Sequence, residues 1–202
     1  MGPKIPESGT ANPLSAAPVR SREVERLLDG SYRTPDPLLA GHCARERRLV
    51  FQDGRMELIE NIPLEPLCRE IRGQVIYRGR VEVGELLVKD ASSRPLLLRV
   101  DEVEIMAISP GWGLTRAEAQ QDPCELAQLR MGDRELVTGR ECGAFGRFPA
   151  RGETFASEIV VNSGQRIQLR HLPLVGAEPV PSVRRGVASG AEETLEFERT
   201  SL

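Results

Sequence analysis

Asp53-Gly54 lies between two short apolar-rich runs, Arg48–Phe51 and Met56–Ile62. Aspartate followed by glycine is the pair that most readily takes the two left-handed conformations of a tight two-residue turn, whose twist suits paired antiparallel strands. A chain that contains this signal is committed to a hairpin at that point, and the sequence around it has to supply the rest of a sheet.

The following residues do so. Glu70–Ile76, Arg80–Lys89 and Leu96–Ile108 read as strands, separated by Arg78-Gly79 and by a polar stretch over residues 90–95. In Leu98-Arg-Val-Asp-Glu-Val-Glu-Ile-Met106 the apolar residues break period two where Asp101 and Glu102 stand together, which predicts a β-bulge or an edge position. Further strands are expected at Glu135–Thr138, Glu158–Asn162 and Gln165–Leu172, with Asn162-Ser-Gly164 as the last turn. Thr115 with Glu118, and Asp122-Pro123 with Glu125, both resemble helix starts, and the second places a helix at Pro123–Arg130. A short amphipathic helix is expected over Arg22–Asp29.

The predicted fold is mainly β, an antiparallel sandwich or jelly-roll-like barrel with one or two short helices and disordered termini. Residues 1–20, rich in Pro, Ser, Gly and Ala, form a flexible arm. Residues 21–44 hold the helix and an extended segment, residues 45–176 the β-rich domain, and residues 177–202 a flexible tail in which Leu195 and Phe197 stand alone. Only 4% of the 202 residues are aromatic, so the core is mainly aliphatic and broad aromatic binding platforms are not expected.

Charge narrows the function classes. The net charge is -3 with acids and bases interspersed, so no global field draws the chain to nucleic acid or an anionic membrane. Lys4 and Lys89 are the only lysines among 27 basic residues, the remainder being arginine. No apolar run approaches the length of a membrane span, and the first residues lack the apolar core of a signal peptide. The chain reads as cytoplasmic or nuclear and not secreted. Cys43, Cys68, Cys124 and Cys142 are scattered without a C-x-x-C or a histidine pair, so they read as reduced, structural residues, and no metal or other cofactor is expected.

Candidate chemistry is sparse. The loop Gly139–Arg147 combines glycines with Arg140 and Arg147, and with Gly143 and Gly146 it could cradle phosphate, although it matches neither the P-loop nor the dinucleotide fingerprint. His42 and His171 are the only imidazoles and no serine stands in G-x-S-x-G, so no catalytic residue is assigned. Glu102 and Glu104 share a strand face and could hold a metal, but a solvated strand edge explains them better. Partner binding is expected at the apolar pair Leu38 and Leu39 and at the end Thr200-Ser-Leu202, where Thr200 and Leu202 have the form of a PDZ ligand.

Gly73-Gln-Val-Ile-Tyr-Arg-Gly-Arg-Val-Glu-Val83 resembles the hairpin that reads G-x-I-D-x-x-Y-R-G-x-V in dUTPases, and Gly143-Ala-Phe-Gly146 resembles that family's glycine-rich arm over the nucleotide phosphates. No aspartate stands between Gly73 and Tyr77, and the R-S-S or R-S-G motif is missing, so the resemblance implies a trimeric β-barrel that binds nucleotide without catalysis. The sequence as a whole reads as a non-enzymatic interaction or assembly protein whose arms engage protein partners, copies of itself included, an arrangement common in compact viral proteins. The alternatives are the dUTPase-like nucleotide binder and a nucleic-acid-binding protein that uses arginines on one sheet face.

Overall fold

The computed structural model describes residues 28–34, 46–63, 70–84, 93–162, 166–170 and 194–200. Nine strands form one antiparallel sheet: β1 (Gly30–Arg33), β2 (Arg47–Gln52), β3 (Arg55–Pro63), β4 (Ile71–Val83), β5 (Ser93–Ala107), β6 (Arg134–Leu136), β7 (Thr154–Asn162), β8 (Arg166–Arg170) and β9 (Thr194–Arg199). Eight of them close on themselves in the order β1-β2-β3-β4-β5-β7-β8-β9, with β9 returning to β1 through Tyr32↔Arg199. The order follows the chain, so this is an up-and-down barrel and not the crossed connectivity of a jelly roll.

The hairpin is where the sequence places it. Asp53 and Gly54 have φ of 50° and 70°, and Gln52 pairs with Arg55 across the turn. Inward residues recur along β2, β3 and β4: Leu49 and Phe51 on β2, Met56, Leu58 and Ile62 on β3, Val75, Tyr77, Val81 and Val83 on β4. Arg47 and Glu60 face each other on the same buried face, with Arg47 Nη2 3.0 Å from Glu60 Oε1.

β5 carries the predicted bulge. Leu96, Leu98 and Val100 are buried, and then Val103, Ile105 and Ala107, so the inward set slips by one residue at Asp101-Glu102. The ladder shows the same slip, because Arg78 pairs with Glu102 while its neighbour Gly79 pairs with Val100. One extra residue thus keeps both halves of a long strand facing the core. β5 is also shared: its first half pairs with β7 and its second with β6.

Three expectations about strands, helices and domain bounds need correction. Arg78-Gly79 is not a turn but the middle of the 13-residue strand β4. A Cβ at Gly79 would lie 2.3 Å from the Arg99 carbonyl oxygen, so glycine is there to let the bulged strand approach. The dUTPase-like stretch is therefore a single strand where that family has a hairpin. Second, no helix covers residues 123–130, where only a 3-10 turn at Leu126–Gln128 forms behind a left-handed Glu125. The α-helix, α1 (Arg116–Gln120), follows the other start signal, with the Thr115 and Glu118 side chains each bonded to the other's backbone N–H. Third, the domain is not confined to residues 45–176. Thr194–Arg199, expected in the tail, is β9, and Phe197 is fully buried opposite Ile167. Two apolar residues at period two sufficed because β9 is paired on both sides.

Residues 108–153 pack at the end of the barrel where β4 begins and β5 ends. Trp112 is fully buried there against Gly73, where a Cβ would sit 2.2 Å from the indole nitrogen, and its N–H donates to the Met106 carbonyl at 3.2 Å. Phe145 meets the indole edge-on at 4.8 Å. Cys124 and Cys142 form a disulfide that ties the Phe145 turn to the Leu126 segment, where reduced thiols were expected. Among the described residues no helix is long and apolar enough to cross a membrane.

Candidate functional site

The outer wall formed by β3, β4 and β5 carries a dense set of polar side chains, and strand register sorts it into bands running across the strands. In one band Glu57, Arg78 and Glu102 stand directly opposite one another. Arg78 Nε donates to Glu57 Oε2 at 2.8 Å, and its Nη1 donates to Glu102 Oε1 and Glu104 Oε2, both at 2.7 Å. Arg134 of β6 reaches Glu104 as well, at 3.3 Å. Partial burial works against the charge on Arg78, and the three carboxylates outweigh it, so its pKa is raised and it stays a cation. Acid, base and acid alternate, as cross-strand pairing favours. Glu102 and Glu104 are thus neither a solvated edge nor a free carboxylate pair: β5 is an interior strand and both are bonded to arginine.

Two residues further along β3 and β4, and three along the bulged β5, the pattern reverses. Arg55 pairs with Arg80, and Arg80 pairs with Arg99. All three side chains point outward and are exposed. Like charges directly opposite one another destabilise a sheet, so three in a row oppose folding. The bulge residue Asp101 lies 3.4 Å from Arg80 Nε and offsets one charge. Arg55 and Arg99 form no ion pair among the described residues. Arg151, beside the bulge, donates to the Asp101 carbonyl at 3.1 Å and adds a fourth exposed arginine to this end of the row.

Next to the row is an open groove of about 590 Å³ lined by Val50, Gln52, Asp53, Arg55, Glu57 and Arg78, with Asp101 and Glu102 at its far side. The Gln52 and Asp53 side chains make no hydrogen bond among the described residues, so the groove presents open polar groups beside a row of three arginines of which one is paired, with Asp101.

No family model matches the sequence, and no curated protein matches it. The wall is therefore read from its own geometry.

The sites expected from sequence are placed as follows. Arg140 bonds to Glu135 and reaches the Pro123 carbonyl at 3.2 Å, and Arg147 pairs with Glu153 at 3.4 Å. Gly143 and Gly146 belong to a compact turn in which the Gly146 N–H donates to the Gly143 carbonyl and the Cys142 N–H to the Gly146 carbonyl. The loop donors are thus largely engaged within the protein. Thr200 continues β9, its N–H and hydroxyl both donating to the Ser31 carbonyl at 2.8 and 3.0 Å. A PDZ-type docking would need that hydroxyl. Leu38, Leu39 and Leu202 lie outside the described residues, as do His42, His171, Cys43 and Cys68.

Sequence reasoning passed over Arg55, Arg80 and Arg99. Each is an ordinary strand arginine in the sequence, and only the register places them side by side.

Proposed function

We propose that this chain is a non-enzymatic interaction protein that works through the outer wall of its barrel and not through the lumen. The observation that carries the reading is the filling of the barrel: Leu49, Leu58, Val103, Ile105, Ile159 and Phe197 are buried on its inner face, and Trp112 packs against Gly73 at one end. Side chains can fill an eight-stranded barrel, and among the described residues these inward positions are all taken by apolar groups. Among the described strand residues, the accessible polar groups lie on the convex wall. Among the described residues no three His, Cys, Asp or Glu side chains are grouped to hold a metal ion.

The reading is tested by titrating the full chain with a fluorescent fatty acid while following Trp112, the only tryptophan. No saturable uptake is expected; stoichiometric binding that quenches Trp112 would make the protein a carrier. Self-assembly is tested by light scattering over a range of concentrations, again on the full chain, because a piece limited to residues 45–176 would lack β1 and β9. Expected is a mass above that of one chain; a monomer throughout would leave binding to other partners as the wall's role.

A further inference from the structure

The proposal concerns what the arginine row holds, and it rests on the reading that the outer wall is the working surface. We propose that Arg55, Arg80 and Arg99, with the adjoining groove, form a binding site for a nucleoside di- or triphosphate. The phosphoryl groups lie on the row and the nucleoside lies in the groove.

Two independent features meet here. The first is the contrast between bands of one wall. Two residues away on β3 and β4, and three on the bulged β5, Arg78 is flanked by and bonded to Glu57 and Glu102, whereas Arg55, Arg80 and Arg99 face one another and, among the described residues, only Arg80 has an ion-pair partner, Asp101. Neighbouring strands lie about 4.8 Å apart, so the three guanidiniums arise within about 10 Å and can converge on one chain of phosphoryl groups. Guanidinium forks match phosphate oxygens two at a time, and an anion of several charges removes the repulsion that the row imposes on the folded protein.

The second feature is the groove. Its volume of about 590 Å³ falls within the range of small-molecule sites. Gln52 and the Asp53 carboxylate offer acceptors for the hydroxyl groups of a ribose or the amino group of a base, and Val50 lends apolar surface. Such lining suits a neutral, donor-rich group attached to the anion. It does not suit a long nucleic acid, because Asp53, Glu57, Asp101 and Glu102 break the positive field on the same wall and no aromatic side chain lines row or groove to stack bases.

The experiment is calorimetric titration of the full chain at low ionic strength with a nucleoside triphosphate, inorganic triphosphate, the unphosphorylated nucleoside and a short oligonucleotide. Arg55→Gln, Arg99→Gln and their combination are carried alongside. Expected are tightest binding for the nucleoside triphosphate, weaker binding for inorganic triphosphate and none for the nucleoside, with affinity falling about tenfold for each arginine removed. The variants should melt no lower than the parent, since each removal relieves repulsion; a purely structural arginine would lower the melting temperature.

Four outcomes overturn the proposal: no binding of the nucleoside triphosphate, affinity unchanged in the double variant, equal affinity for inorganic triphosphate, or preference for the oligonucleotide. None of these bears on the absence of catalysis. That reading fails on a different result, release of inorganic phosphate or diphosphate from the bound nucleotide.

Discussion

Gly79 stands opposite Val100 in the β4–β5 ladder at the point where β5 takes in an extra residue, and a methyl group on it would lie 2.3 Å from the Arg99 carbonyl oxygen. Backbone and not a flexible side chain blocks that space, so nothing can move aside cheaply. Gly79→Ala is expected to destabilise the barrel by about 2 kcal/mol, read from the midpoint of denaturant unfolding. The same substitution at Gly132, where a Cβ meets nothing within 4 Å, tests whether close approach is the cause. Gly132 has φ of 91°, so it should lose only what that backbone conformation costs.

Phe197 separates a tail from a strand. It is fully buried on β9, between β1 and β8. Phe197→Ala should cost about 3–4 kcal/mol, as for other large-to-small changes in a core. A residue in a solvated tail would cost nothing measurable.

The disulfide closes a segment with a sequence separation of 18. Removing both thiols with Cys124→Ser and Cys142→Ser should lower stability by about 3 kcal/mol, since a loop of this length gains that much freedom when unfolded. Because Phe145 follows Cys142 closely and packs on the only tryptophan, the Trp112 emission spectrum should shift as well. A reductant added to the parent protein should reproduce both changes, and an unchanged spectrum would mean that the bond does not secure the packing of Phe145 on Trp112.

Tyr32 gives the fold a dependence on alkaline pH. Its hydroxyl donates to the Leu28 carbonyl at 3.0 Å, and the ring is almost wholly buried. Burial pushes the phenol's pKa up, Arg199 over the ring works against this, and Asp29 adds to it. The native state therefore holds the proton more tightly than the unfolded chain, whose tyrosine titrates near about 10. The stability this gives is complete below about pH 10 and is lost as pH rises through the higher native pKa. Tyr32→Phe should cost about 1 kcal/mol at neutral pH through the lost hydrogen bond, and its denaturant midpoint should fall less steeply than the parent's above pH 10. Parallel curves would show that another group governs alkaline unfolding.

What could be read from the sequence was local. Asp53-Gly54 specifies its turn through two adjacent residues, and the adjacent acids at 101 and 102 announced a bulge because they break an otherwise regular alternation. Gly79 was misread because its reason lies across the ladder, in the Arg99 carbonyl. Leu195 and Phe197 offered too short a pattern to mark a strand until β1 and β8 are known to flank it. Cys124 and Cys142 carry no spacing signature, and their pairing follows from the fold of residues 108–153. The candidate site was the least legible of all: Glu102 and Glu104 were noticed, but the partner that explains them, Arg78, is 24 residues away from the first. The arginine row depends wholly on register, since a slip of one residue in either ladder would break it.

The most direct test of the wall as the working surface is a backbone amide NMR titration of the full chain with a nucleoside triphosphate. The amides of Arg55, Arg80 and Arg99, with those of Gln52 and Asp53, should shift together and saturate at one ligand per chain, while the loop of Gly143 and Gly146 stays unmoved. Shifts centred on Arg140 and Arg147 with a silent wall would contradict the account.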